Sequence, residues 1–332
     1  MDKLFSDEIF LKIFRYLPRL DLYRGFYNLN SRLNRIISES RVYFHSRLTE
    51  DEQLYILPYV DPKQIRAFTV CQAQYTYSKL DQCINIRALI FSPSPDYSIY
   101  SYVEPQLNLV QPAIFRHLKS LTIYVHSWTS DYIQLCFMVF NNEFVLLESV
   151  NLPYANGSCV NGIKTWSTNL KYVRIECCNK SMFYPLLDNL PNIKNFTGAF
   201  GTPDRKSLKN QCLSLTNLSF FNYDRSPTPD GYNSYSTMDF DEMMDLYQHL
   251  PNLETTHIYI FNSGSLETQM DNLNRILSNC PKLTSFDIFI VYRSGVNQAY
   301  LDQIKKRYPL FENCSACTWS TRRVYECRLE KN

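Results

Sequence analysis

The 332-residue sequence has only 8 glycines, and they never gather into the glycine-rich turn that opens a phosphate- or dinucleotide-binding strand-turn-helix unit. It has no GxSxG elbow and no HExxH pair, and its five histidines, at positions 45, 117, 126, 249 and 257, form no cluster spaced for a metal or a proton relay. The one CxxC, Cys314-Ser315-Ala316-Cys317, lacks the second pair a structural zinc site needs. Cys327 offers only a third ligand, and no histidine follows residue 257. No catalytic site, metal or cofactor is therefore expected. The short runs Lys305-Lys306-Arg307 and Arg322-Arg323 read as solvated faces.

Charge of one sign is lacking too. The 34 basic and 32 acidic residues leave a net charge of +2, which gives no global attraction to nucleic acid or anionic lipid. No apolar run reaches membrane-spanning length, and the start, Met1-Asp2-Lys3-Leu4-Phe5-Ser6-Asp7-Glu8, is acidic where a signal peptide is basic. An intracellular protein, cytoplasmic or nuclear, is the expectation. The 11 cysteines are odd in number and several occupy apolar positions of strand patterns, so free buried thiols are expected.

Aromatic side chains, by contrast, are abundant, with 25 Tyr and 21 Phe. They supply large contact areas for packing and interfaces, which makes a protein the default partner.

Residues 4 to 40 carry three short helical patterns. In the first, Ser6 is placed as N-cap, Asp7 and Glu8 put negative charge at the positive helix end, and Pro18 stops the helix after Leu17. Ile9, Phe10, Ile13, Phe14 and Leu17 form its apolar stripe. A second helix is expected after Asp21, with Leu22, Tyr23 and Phe26, and a third after Asn30 or Ser31, with Leu33, Ile36 and Ile37. Three such helices hold more large apolar side chains than they can bury among themselves. They must cap the chain that follows or dock on another protein.

The run from Leu4 to Arg24 resembles the F-box. Glu8, Ile9, Ile13, Tyr16, Leu17, Asp21 and Leu22 match the family's pattern, whereas Ser6 stands where it usually has proline and Leu33 near where it often has tryptophan. The resemblance implies binding to the F-box-binding adaptor of cullin-RING ubiquitin ligases. Phe5, Glu8, Ile9, Ile13, Leu17, Leu20, Leu22 and Phe26 are the expected contacts.

From residue 65 onward a six-residue pattern recurs, apolar at its first, fourth and sixth positions. It starts at Ile65, Ile86, Leu118, Leu147, Leu170, Leu215, Leu253 and Leu283, with weaker copies at Ile193 and Val324. The steps range from 21 to 41 residues, and several intervening segments show a helical stripe ending just before a proline, such as Met243, Leu246, Tyr247 and Leu250 before Pro251. One strand and one return per repeat is the arrangement of leucine-rich repeats. Together with joints such as Leu190-Pro191-Asn192-Ile193, it resembles F-box proteins of that class. The expected architecture is α/β: a three-helix adaptor-binding domain over residues 1–45, then a curved solenoid over 46–332 with parallel strands on its concave face and helices on its convex face. An ordinary two-layer α/β domain is the rival.

In such a solenoid the positions between the apolar ones, and the one after the last, line the concave surface. That rule selects Tyr124, Tyr172, Arg174, Phe221, His257, Tyr259, Asp287 and Phe289 as substrate contacts. The polar stretch Asn222 to Thr237 is expected to be a binding insertion. The implied function is that of a non-catalytic substrate receptor of a ubiquitin ligase. The alternative is a scaffold whose N-terminal helices merely cap the repeats.

Overall fold

The computed structural model describes residues 5–39, 42–44, 56–71, 79–92, 107–124, 129–200, 207–220, 240–262, 266–292, 298–308, 315–319 and 324–330. The chain is α/β and divides into two compact units, Met1–Leu135 with Phe144–Leu147, and Cys136–Glu143 with Glu148–Asn332. No described helix is long and apolar enough to cross a membrane.

The first unit opens with helices α1 (Asp7–Phe14), α2 (Arg19–Phe26) and α3 (Ser31–Glu39). Their boundaries correct two expectations. α1 ends at Phe14, leaving Leu17 in the turn, and Pro18 does not stop α1 but sits at the N-cap of α2, which starts before Asp21. Proline fits there because an N-cap N–H has no intrahelical partner to lose. Ser6 holds the N-cap position of α1 without capping it; its hydroxyl donates to the Glu8 carboxylate instead. α3 starts where the sequence places it, the Asn30 carboxamide oxygen accepting the Leu33 N–H at 2.8 Å.

These helices share a core of Phe10, Phe14, Leu22, Tyr23, Leu33, Ile36 and Ile37. Four strands follow, β1 (Val42–Phe44), β2 (Ile65–Cys71), β3 (Ala88–Ser92) and β4 (Ser120–Ile123), parallel and paired in chain order. Helix α4 (Ser130–Phe140) leads into the second unit, and its stripe of Tyr132, Leu135, Cys136 and Val139 is fully buried.

In the second unit β5 (Ser149–Ala155), β6 (Tyr172–Cys178), β7 (Asn195–Phe200), β8 (Asn217–Phe220), β9 (Thr255–Asn262) and β10 (Ser285–Tyr292) again pair in chain order and parallel. Helices α5 (Lys180–Asn189), α6 (Phe240–Gln248) and α7 (Leu266–Ser278) lie between β6 and β7, β8 and β9, and β9 and β10. After α8 (Gln298–Arg307) come β11 (Ser315–Trp319) and β12 (Val324–Glu330). Here the repeat expected at Val324 departs from the pattern. β12 pairs antiparallel with both β10 and β11, because four residues between β11 and β12 suffice for a hairpin but not for a parallel crossover.

The recurring pattern becomes one hydrogen-bond motif. The carbonyl of its second residue accepts two N–H groups from the next copy: Glu148 from Lys171 and Tyr172 at 2.9 and 3.0 Å, Lys171 from Lys194 and Asn195 at 2.8 and 3.0 Å, and Lys194 from Thr216 and Asn217 at 2.9 and 3.0 Å. Thr216 and Glu254 do the same for the next two copies, as does Arg87 in the first unit for Lys119 and Ser120 at 2.8 and 2.9 Å. The apolar positions lie beneath: Leu147, Val150 and Leu152, or Leu170, Val173 and Ile175, are each at most 2% exposed.

Two irregular copies have physical reasons. Gly198 fills the last apolar position of the Ile193 copy, where a Cβ would lie 2.8 Å from the Ile175 carbonyl. Thr256 fills an apolar position of the Leu253 copy, and its hydroxyl is paired at 2.6 Å with that of buried Tyr247. The helices close the core with aromatic rings, Phe183 of α5 standing 4.9 Å from Phe196 and 5.5 Å from Phe220. Six described cysteines, Cys83, Cys136, Cys159, Cys178, Cys212 and Cys280, are buried thiols that form no disulfide.

One buried contact has no signature in the sequence. Glu242, in the first turn of α6, takes the Lys180 ammonium with both carboxylate oxygens, at 2.9 and 2.8 Å. The pair is almost fully buried and ties α5 to α6 across 62 residues of chain. Glu242→Leu, which removes the carboxylate from the buried ammonium, is expected to cost about 3–5 kcal/mol in urea unfolding. Adding Lys180→Met should recover most of that loss.

Candidate functional site

Two surfaces collect the residues that the sequence singles out, one in each unit. The first is on α1. Because an α-helix returns to the same face every three to four residues, Ile9 and Ile13 share a stripe, and they are 41% and 43% exposed, as is Phe5, two residues before the helix, at 43%. Tyr16, just past the helix, is 88% exposed. Phe10 and Phe14, one position away from Ile9 and Ile13, turn inward, with Phe14 packed 5.2 Å from Phe26. The single apolar stripe expected for α1 is thus split into a core edge and an open edge. Glu8 lies beside the open one, and Leu17, Leu20 and Phe26 are half-buried. Leu22 is only 6% exposed and belongs to the core of the module, which corrects its assignment as a contact.

The open edge is held in place from α3. Arg32 donates through Nε to Asp7 Oδ1 at 2.8 Å and through Nη2 to the Phe5 carbonyl at 2.6 Å, and its guanidinium stands 5.6 Å from the centre of the Phe10 ring. Arg35 takes the other Asp7 oxygen at 2.7 Å. Asp7 therefore does more than complement the helix dipole. It fixes the rotation of α1 about its axis, and so which residues face out.

The second surface is on the strands of the second unit. Reading register across them, Asn151, Arg174, Thr197, Ser219, His257 and Asp287 form a row on β5 to β10. At about 4.8 Å per strand, Arg174 and Asp287 lie about 19 Å apart along it. A parallel row runs through Ser149, Tyr172, Asn195, Asn217, Thr255 and Ser285. Tyr172 is 45% exposed, and Arg174 reaches Glu176 at 3.9 Å. His257 Nδ1 meets Asp287 Oδ2 at 3.0 Å. The second row is cross-linked: Asn217 donates to Asn195 at 2.9 Å and accepts from the Thr255 hydroxyl.

The selection rule thus brings four expected residues, Tyr172, Arg174, His257 and Asp287, onto one face. Tyr124 is exposed after β4 of the first unit. Tyr259 and Phe289 are register partners on β9 and β10, two positions beyond His257 and Asp287. Phe221 and the insertion from Asn222 to Thr237 lie outside the described residues, as does Cys314. What the sequence rule missed is the small polar floor between the large residues, Asn195, Thr197, Asn217 and Ser219. Among the described residues, Asn151 Oδ1 is buried and finds no donor.

Chemically, the row offers amides, hydroxyls and two charged side chains. Ser219, His257 and Asp287 follow one another as nucleophile, base and orienting carboxylate would. They lie on three adjacent parallel strands, one register position each. Among the described residues, no three His, Cys, Asp or Glu side chains converge as a metal site. The row thus presents hydrogen-bonding groups beside the exposed Tyr172 ring.

Arg32 and Arg35 hold the Asp7 carboxyl below its ordinary value of 3.8. A depressed folded-state pKa stabilises above the unfolded value and ceases to do so as the pH falls through the folded one. Asp7→Asn should therefore speed hydrogen exchange in α1 and α3 at neutral pH and remove the additional acceleration that the native chain shows below pH 3.8.

No protein-family model and no curated protein matches this sequence, so the geometry itself carries the functional interpretation.

Proposed function

We propose that the chain is a substrate receptor of a cullin-RING ubiquitin ligase, an F-box module joined to a leucine-rich-repeat-like solenoid. The observation that carries this is the open stripe of Ile9 and Ile13 on a helix whose other apolar face is already packed, with Phe5 exposed just before it. A small module that has closed its own core around Phe10, Phe14, Leu33 and Ile36 needs no further apolar surface for its stability. Contiguous exposed aliphatic and aromatic side chains mark an interaction site. The F-box resemblance names the adaptor as the occupant.

In-order parallel strands with one return each support the solenoid. A doubly wound sheet would instead reverse its strand order and bind ligand at the reversal, and among the described residues β5 to β10 run without one. On this proposal the row from Asn151 to Asp287 faces the substrate protein. Catalysis is left to the ligase; the receptor acts in the cytoplasm or nucleus by raising the effective concentration of substrate lysines beside the charged conjugating enzyme.

One contact favours a second role for the helices, as a cap. Tyr27 of the module stands 5.3 Å from Tyr59, beside a cleft of about 280 Å³ that Tyr23 and Asp61 also line. Deleting residues 1 to 40 would unfold or aggregate a body that needs this cap, and would leave the body's thermal midpoint nearly unchanged if the helices only dock.

The docking proposal is tested by co-purification with the adaptor. The double variant Ile9→Glu/Ile13→Glu is expected to weaken adaptor binding by at least about a hundredfold, two lost anchors at ~1.4 kcal/mol or more each. Its thermal midpoint should stay within about 2 °C of the native chain, since both side chains are exposed. Undiminished binding by the variant, or no retention of adaptor or cullin by the native chain, would exclude the ligase role.

A further inference from the structure

The motif's second position, whose carbonyl links one copy to the next, also lines up side chains along the rim where the strands begin. In the second unit that rim is mixed, reading Glu148, Lys171, Lys194, Thr216, Glu254 and Thr284, with Lys171 and Glu148 paired at 3.2 Å. In the first unit it is uniformly basic: Arg66, Arg87 and Lys119 occupy three successive copies. The Arg87 N–H bonds the Arg66 carbonyl at 2.7 Å and the Lys119 N–H bonds the Arg87 carbonyl at 2.8 Å. Lys63 and Arg116, three residues before Arg66 and Lys119, add two exposed cations, and exposed His117 lies between Arg116 and Lys119.

Two acids are close in sequence. Asp61 is engaged by the Lys63 N–H at 2.9 Å, and Asp81 lies in the turn before β3. Arg66 also donates to the Asn85 carbonyl at 3.1 Å, and the three aligned positions are all basic in a chain whose net charge is only +2. Gaps of 21 and 32 residues between the members of this rim hide it from any reading of local charge runs.

We propose that this rim binds an acidic peptide segment of a partner protein. Strands about 4.8 Å apart place the three aligned cations within about 10 Å, and an extended peptide presents alternate side chains about 7 Å apart, so a run of four or five residues rich in Asp and Glu spans them. A nucleic acid is the poorer match. Its affinity is built from many phosphate contacts, on the order of 6–10, and from a long-range field that a chain of this net charge does not supply. The proposal is independent of the ligase role, since it involves neither α1 nor the row on the second unit.

The test uses the full chain and a fluorescein-labelled octaglutamate peptide, read by fluorescence anisotropy. Binding is expected at low ionic strength and should weaken as salt shortens the screening length to about 8 Å and below. Arg87→Glu should weaken it about fivefold to tenfold, the loss of one attraction and the gain of one repulsion. Arg87→Lys should retain it. Lys194→Glu, the same charge change at the matching position of the second unit, should leave it nearly unchanged. Circular dichroism checks folding, and Arg87→Gln serves with a smaller expected loss should the reversal unfold the chain. Equal affinity of the Arg87→Glu and Lys194→Glu variants would overturn the proposal, as would no peptide binding by the native chain. Tighter binding of a single-stranded oligonucleotide of matched charge would overturn it in favour of nucleic acid.

Discussion

Within each unit the structure depends on one repeated interaction, the carbonyl at the second motif position that accepts two N–H groups from the next copy. A parallel ladder has a side-chain period of two, so a slip of one residue would turn Leu170, Val173 and Ile175 out of the core and Tyr172 and Arg174 into it. The bifurcated contact locks that register at every step from Glu148 to Ser285, whether the connection is 22 residues long, as from Ile193 to Leu215, or 38, as from Leu215 to Leu253. Loop-closure entropy grows only slowly with length. Insertions can therefore lengthen without disturbing the strands.

From that register follow both the core and the surface. The first, fourth and sixth positions build the apolar layer under the return helices, and the positions between them build the exposed rows. The buried Lys180 to Glu242 pair joins α5 to α6, which lies within the longest of these steps. At the end of the ladder the pattern is abandoned for a hairpin.

The strands were legible in the sequence because burial imposes a fixed apolar spacing, and eight strong copies repeat it. Placement of Tyr172, Arg174, His257 and Asp287 on one face followed from the same alternation. On α1 the sequence was less informative: Ile9, Phe10, Ile13 and Phe14 read as one stripe, and only the packing of Phe10 and Phe14 against their neighbours separates core from open edge. Asp7 read as a dipole complement because its arginine partners are 25 and 28 residues away. The Lys180 to Glu242 pair and the basic rim stayed hidden for the same reason. They join residues that only the register or the helix packing brings together, and single-chain periodicity carries no information about such pairs.

For the proposed receptor, this architecture separates recruitment from recognition. The open edge of α1 is positioned by Asp7 and Arg32, whereas the polar row is positioned by the strand ladder, so either surface can change without loss of the other. Hydrogen exchange of the full chain, alone and with the adaptor, measures this most directly. The account predicts that the adaptor slows exchange in residues 5 to 17 and leaves strands β5 to β10 unchanged. Unaltered exchange in residues 5 to 17 in the presence of saturating adaptor would contradict it.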